Sequence, residues 1–395
     1  MSTQEVFVVS AVRTAIGSFG GSLRDVAPSA LAASVTAEAL RRSGAAAEAV
    51  GHVVFGQVIP TEPSDAYLAR IATLQAGLPF AVPALTLNRL CGSGLQAVLS
   101  AAQAVMLGDA DIAVGGGAEC MSRAPFLSPS TRWGQRMGDG VLQDTLNGAL
   151  TDPFNRILMG VTAENVAERH GVSRSEQDAL AAQSHARAAA AIAAGRFTDQ
   201  ILPIETRAKG KTVVFAQDEH VRPGTEAGEL AGLRPLFKKE GGTVTAGNAS
   251  GINDGAAAVV LASGDAVQRH GLRPLARLVS YAHAGVDPAY MGIGPVPATR
   301  LALQRAGLSV ADLGVIESNE AFAAQACAVS KALGFDPDKV NPNGSGISLG
   351  HPVGATGAIN TVKLVYEMQR AQVRYGLATM CIGGGQGIAA IFERV

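Results

Sequence analysis

Two stretches of this chain repeat each other at a fixed distance, and that repetition limits the fold more than any other feature. Residues 39–44 read ALRRSG, and 263 positions later residues 302–307 read ALQRAG, with Gly51 matched by Gly314 at the same offset. The same shift lays Gly354-Ala-Thr-Gly357 over Cys91-Gly-Ser-Gly94. Further on, AVGGG ending at Gly117 matches CIGGG ending at Gly385 at an offset of 268, so one insertion of five residues keeps the copies in register. The chain is therefore an internal duplication. Each copy reads strand, helix, strand, glycine loop, helix, strand, which predicts a right-handed parallel α/β layout with its sheet covered on both faces.

In the first copy, the valine-rich run over residues 6–12 predicts a central strand. Ser29 is placed to cap a helix that runs to Arg42 and stops at Gly44, and a second strand follows over residues 52–55. Residues 95–107 form an apolar helical run. In the second copy a strand over residues 315–317 ends at Asn319. Between the copies, residues 120–247 hold nearly half of the charged residues in about a third of the length, together with the only tryptophan, Trp133. A capping box at Ser173 and Glu176 starts a long alanine-rich helix there that ends near Gly195. This segment reads as an insertion over the active face. Small residues return at 245–251 (TAGNASG) and lead into a predicted buried helix over residues 256–261, where the first copy resumes. The domains expected are thus 1–119 completed by 248–273, the insertion 120–247, and 274–395.

Composition narrows the function. A formal net charge of −1 argues against a general nucleic-acid or membrane-surface partner. Four separated cysteines (Cys91, Cys120, Cys327, Cys381) with no CxxC pair fit a reducing compartment and disfavour a zinc site. The N-terminus lacks a basic n-region and a long apolar run, so a cytoplasmic location is expected.

Residues 88–94, NRLCGSG, put Cys91 at a glycine turn before an apolar helix. At the positive end of a helix dipole the sulfur is expected to be a thiolate and a nucleophile at neutral pH. Ligands of such sheets sit at the carboxyl ends of the strands, where the duplication gathers Cys91, His351 and Cys381. Acyl transfer to sulfur needs a thiolate, a proton acceptor and donors for an oxyanion. Cys91 fills the first role and His351, in the Gly-His-Pro turn, the second. The peptide N–H groups of Cys91 and of residues 383–385 are candidates for the third. Cys381, where the first copy has Ala113, is a second titratable sulfur, and Asn319 points an amide at the same edge. Cys120 and Cys327 are assigned to packing.

Five motifs in order, NRLCGSG, TAGNASG, SNEAFAAQ (residues 318–325), GHPVGATG (350–357) and CIGGGQG (381–387), resemble those of the thiolases over essentially the whole length. Within that family the chain is most similar to the bacterial short-chain β-ketothiolases of polyhydroxyalkanoate precursor synthesis. The resemblance implies duplicated βαβαβ halves in an α-β-α-β-α core with an inserted loop domain. It also implies reversible Claisen condensation of short acyl-CoAs, favouring acetoacetyl-CoA and 3-ketovaleryl-CoA as products. By the same resemblance Cys91 takes the acyl group, His351 activates it, Cys381 moves the C2 proton, and Gly383 belongs to the catalytic set. Asn319 holds a water that helps His351 stabilise the enolate. Leu150, Leu158, Met159, Arg222, Phe237, Ala246 and Ser250 line the coenzyme A channel, with Phe322 near the acyl pocket. No metal or cofactor besides the coenzyme A substrates is implied, and a homotetramer assembled through the loop domain is.

Two departures stand out. Leu158 occupies a position where many biosynthetic members have histidine, and Ser318 precedes NEAF where alanine is common. A degradative 3-ketoacyl-CoA or 3-oxoadipyl-CoA thiolase is the alternative enzyme. A decarboxylating ketoacyl synthase resembles the chain less, since such enzymes place a second histidine or an asparagine where this chain has Cys381. A non-catalytic acyl-CoA-binding scaffold is disfavoured by the complete constellation, and a dehydrogenase by the lack of a full GxGxxG unit.

Overall fold

The computed structural model describes residues 4–208 and 210–395. Its first half contains β1 (Val6–Thr14), α1 (Pro28–Ser43), β2 (Val50–Gly56), α2 (Leu68–Gln75), β3 (Ala84–Leu87), α3 (Ser93–Leu107) and β4 (Ile112–Cys120). The intervening segment carries α4 (Met159–His170) and α5 (Arg174–Ala193), and β5 (Asn253–Ser263) then completes the half. The second half runs β6 (Ala276–Gly285), α6 (Pro295–Ala306), β7 (Leu313–Ser318), α7 (Ala323–Leu333), α8 (Thr356–Ala371), β8 (Tyr375–Ile382) and β9 (Gln386–Arg394).

The strand order is β3-β2-β4-β5-β1 in one half and β7-β8-β9-β6 in the other, joined where β1 meets β6 at Phe7↔Arg277 and Val8↔Ala276. The single parallel bridge Ile316↔Val340 beside β7 stands where β3 pairs with β2, so the halves share one order. Helices α1 and α2 cover the outer face of the first sheet and α6 that of the second, while α3 and α8 pack on each other between the sheets. The result is the α-β-α-β-α layering expected of the duplication.

Three expectations need correction. The layout is mixed, not parallel throughout, because β5 and β9 run against their neighbours. Residues 256–261, expected as helix, belong to β5, which is buried at every position. A run apolar on all sides carries no period, so its pattern cannot separate a buried helix from a central strand. Ser29 does not cap α1. The helix starts one residue earlier at Pro28, whose ring fixes φ for the first turn.

Helix α3 explains why the layers hold. Leu95, Val98, Leu99 and Val105 are wholly or almost wholly buried, and each contributes roughly 1.5–3 kcal/mol by leaving water. The apolar run Leu90–Leu107, long and apolar enough to cross a membrane, is thus in the main a core helix. The helix is seated against its counterpart through glycines. A Cβ on Gly94 would lie 2.6 Å from the Ala358 nitrogen, and one on Gly357 would lie 2.2 Å from the Leu95 nitrogen.

The intervening segment is tied to the first strand. Ile201–Leu202 pairs in parallel with β1, and the buried Arg13 forks onto Asp218 at 2.7 and 2.9 Å. The predicted capping box at Ser173 and Glu176 is present at the start of α5.

Candidate active site

Cys91 stands on a bolted turn between β3 and α3. Leu90 before it has φ 46°, a left-handed conformation that a leucine adopts only when its surroundings impose it. Those surroundings are explicit. Asn88 Oδ1 accepts from the Leu90 N–H at 2.9 Å while Asn88 Nδ2 donates to the Val58 carbonyl at 3.1 Å. Ser93 Oγ accepts from the Arg89 N–H and donates to the Leu90 carbonyl. The backbone N–H groups of Cys91 itself and of Gly383 favour the ionised form of the Cys91 sulfur.

The thiol is nevertheless not a resting thiolate. Enclosure among Val58, Ile59, Leu90, Met121 and Val353 pushes the Cys91 pKa up. The two N–H groups pull it down, and the charge of Glu119 adds to the rise. A neutral thiol therefore needs a base to give up its proton.

His351 is shaped as that base. Its N–H donates to Asn253 Oδ1 at 2.9 Å, which fixes the turn. Thr356 Oγ donates to the Pro352 carbonyl at 2.9 Å, so it accepts from His351 Nδ1 at 2.7 Å. That leaves His351 Nε2 as the lone-pair nitrogen, and Asn319 Nδ2 meets it at 3.3 Å. Burial lowers the His351 pKa to about 4, so the ring is neutral at pH 7.

Cys381 is completely buried near the end of β8, among Met159, Met291, Ala321 and Phe322. Burial and the negative charge of an ionised Cys91 both raise its pKa well above the ordinary thiol range. Of the three glycines after it, Gly383 is the one whose N–H favours the Cys91 thiolate. Gly384 and Gly385 take φ 78° and 82° and make the turn into β9.

The seven residues expected along the coenzyme A channel, with Phe322 of the acyl pocket, fall into three places. Met159 and Phe322 lie beside Cys381, and Phe237 meets Phe322 edge-on at 6.4 Å. The Ser250 N–H donates to the Ala321 carbonyl and ties TAGNASG to the same wall. Arg222 and Ala246 line a separate cavity of about 220 Å³ with His185, His220 and Ile347. Leu150 and Leu158 sit at a short hairpin in which Thr151 pairs with Leu158, and the Met159 N–H donates to the Leu150 carbonyl. Leu158 is 38% exposed.

Sequence reading missed Asn88, Asn253, Thr356 and Glu119. The first three stand in or beside the motifs, but a hydroxyl that sets a tautomer leaves no spacing signal. Glu119 was findable as the one acid in the apolar strand β4.

A duplicated, layered α/β fold that brings two cysteines, a histidine and an asparagine to its strand ends defines a thiol-dependent acyl-transfer class, and the chain belongs to the thiolase family. The thiolase N-terminal domain model matches residues 6–265 and the C-terminal domain model residues 272–394. Among its relatives, the β-ketothiolase BktB of Cupriavidus necator is 65% identical with both chains fully covered. An acetyl-CoA acetyltransferase of Chromobacterium violaceum is 53% identical over 99% of this chain and 100% of its own. The crystal structure of human mitochondrial 3-ketoacyl-CoA thiolase superposes with a TM-score of 0.97 at 45% identity, covering 99% of each chain.

Proposed function

We propose that this protein is a short-chain β-ketothiolase that joins two short acyl-CoA molecules into a 3-ketoacyl-CoA and free coenzyme A, and runs the reverse thiolysis, through an acyl-enzyme on Cys91. One observation carries this reading: Cys91, whose thiolate is favoured by its own peptide N–H and that of Gly383, packs with Val353 of the turn that presents His351, and Thr356 holds Nδ1 of that histidine so that Nε2 keeps the lone pair. The relatedness to acetyl-CoA acetyltransferases supports the short-chain preference.

The proton inventory closes around the cycle. His351 Nε2 takes the Cys91 proton as sulfur attacks the thioester carbonyl, and the Cys91 and Gly383 N–H groups receive the oxyanion. The departing coenzyme A sulfur takes its proton from Cys381. The Cys381 thiolate so formed, a strong base because of its burial, removes a C2 proton from the second acyl-CoA. The enolate oxygen rests on protonated His351 and on a water held by Asn319. Enolate carbon then attacks the acyl-Cys91 carbonyl, and Cys91 leaves and recovers its proton from His351.

Coenzyme A enters past Leu150 and Leu158 toward Met159, Phe237, Ser250 and Phe322, with Arg222 and Ala246 at the farther cavity. The assembly is a homotetramer in the cytoplasm. Exposed apolar residues Phe126, Leu127, Trp133, Met137, Val141 and Leu142 support association through the insertion.

Intact-mass measurement after mixing with acetyl-CoA tests the reading. Wild type and Cys381→Ser should gain one acetyl group, and Cys91→Ala none. An acetyl adduct on Cys91→Ala would overturn it.

A further inference from the structure

Glu119 is the penultimate residue of β4 and is wholly buried. Its Oε2 accepts from the Val58 N–H at 2.9 Å and the Gly354 N–H at 2.8 Å, and its Oε1 accepts from the Ile59 N–H at 3.1 Å. Three donors and no acceptor surround the carboxyl, which is the environment of an anion. The same three donors work against a burial that lifts its pKa to about 8, so the carboxyl carries its full negative charge in the alkaline range where the Cys91 thiol titrates.

The identity of one donor is informative. At the offset of 263, Gly354 is the duplicate of Cys91. Cys91 precedes the first residue of α3 by two positions, and Gly354 precedes the first residue of α8 by two. In the first half this N–H favours the thiolate of Cys91. In the second half the equivalent N–H is already occupied by Glu119. A Cβ at Gly354 would lie 2.4 Å from Glu119 Oε2, so a cysteine at that position is excluded while the carboxylate stays.

The other two donors lead back to the site. Val58 and Ile59 pack around Cys91 together with Val353. The Val58 carbonyl accepts from Asn88, which in turn holds the Leu90 N–H. One carboxylate therefore joins the turn that presents Cys91 to the turn that presents His351. We propose that Glu119 is a built-in occupant of the anion site left by duplication in the second half, and that by filling it Glu119 positions Cys91 and His351 relative to each other. This rests on Cys91 and His351 being the reacting groups.

The test compares wild type, Glu119→Gln and Gly354→Ala in acetoacetyl-CoA thiolysis and in the pH dependence of iodoacetamide alkylation of Cys91. Glu119→Gln turns an NH₂ toward a backbone donor. It should lower kcat by up to about 10²-fold, as expected for misplaced reacting groups, with KM within threefold. Loss of the negative charge should also move the alkylation midpoint to lower pH. Gly354→Ala crowds Oε2 with the charge intact, so kcat should fall while the midpoint stays. It also decides the matter if Glu119→Gln does not fold. Wild-type kcat in either folded variant, a loss confined to KM, or an unmoved midpoint in Glu119→Gln overturns the proposal. The acyl-enzyme reading stands or falls separately, on the mass of acetylated Cys91→Ala.

Discussion

Gly94 and Gly357 occupy the same position in the two copies of the repeat, and each lies against the backbone at the start of the other's helix. The contact is reciprocal: Gly94 faces Ala358, Gly357 faces Leu95, and those partners are also related by 263 positions. It brings the N-termini of α3 and α8 together, and with them the loops of Cys91 and His351.

Alanine at either glycine should destabilise the whole molecule. A methyl group would meet main-chain nitrogen, which cannot rotate aside, so the loss should reach or exceed the roughly 1–3 kcal/mol of ordinary overpacking. Urea unfolding of Gly94→Ala and Gly357→Ala measures it. A midpoint like that of wild type in both would show that the helices part freely.

Thr356 should matter through the tautomer of His351. Thr356→Val removes the Nδ1 acceptor, whose bond strengthens when the ring is protonated. A hydrogen bond to a charged group contributes about 1.5–3 kcal/mol, so kcat should fall about 10- to 100-fold, and Thr356→Ser should restore most of it. Equal activity of the valine and serine variants would remove the hydroxyl from the mechanism.

Stability should fall as pH drops from about 6.5 toward 4. Burial holds both His351 and His185 near pKa 4, with the charges of His220 and Arg222 adding to the effect on His185. The unfolded chain binds protons at these two sites below about pH 6.5, while the folded chain does not until about 4. The unfolded state thus gains protons first, and folding weakens across that window by up to roughly 3 kcal/mol per group. His185 Nδ1 also accepts from the Arg222 N–H at 3.1 Å, a bond that protonation would abolish. Unfolding midpoints between pH 7 and 4.5 should slope less in His185→Gln, and equal slopes would exclude His185 as a source.

Leu158 should broaden the range of acyl chains. An apolar wall in place of histidine gains roughly 0.8 kcal/mol for each methylene it buries. From acetoacetyl-CoA through 3-ketovaleryl-CoA to 3-ketohexanoyl-CoA, kcat/KM should decline less steeply in wild type than in Leu158→His. Parallel profiles, with KM alone displaced, would place Leu158 against the pantetheine arm instead.

Much of this was legible in the residues. The offset of 263 disclosed two halves, and the motifs at Cys91, His351 and Cys381 disclosed a common edge. What escaped was set by environment and not by pattern. The state of the Cys91 thiol depends on Val58, Ile59 and Val353, which are distant in sequence and whose packing raises its pKa. Residues 256–261 gave no period because both faces of β5 are covered. Glu119 became intelligible only once its three N–H partners, from two separate loops, were seen to converge on it.

The position of β5 has a consequence for the time course of synthesis. It lies between β1 and β4 in space, yet the ribosome makes it only after the whole intervening segment. At a usual elongation rate, roughly 10 to 30 s separate the end of β4 from the end of β5. For that interval β1 and β4 each present an open edge that no residue yet made can pair in the native order. A nascent chain halted before residue 253 would carry two such edges, which are templates for pairing with other chains. The insertion thus makes the first half, although translated first, dependent on sequence that arrives after it, and shielding by a chaperone would be most valuable between those two moments.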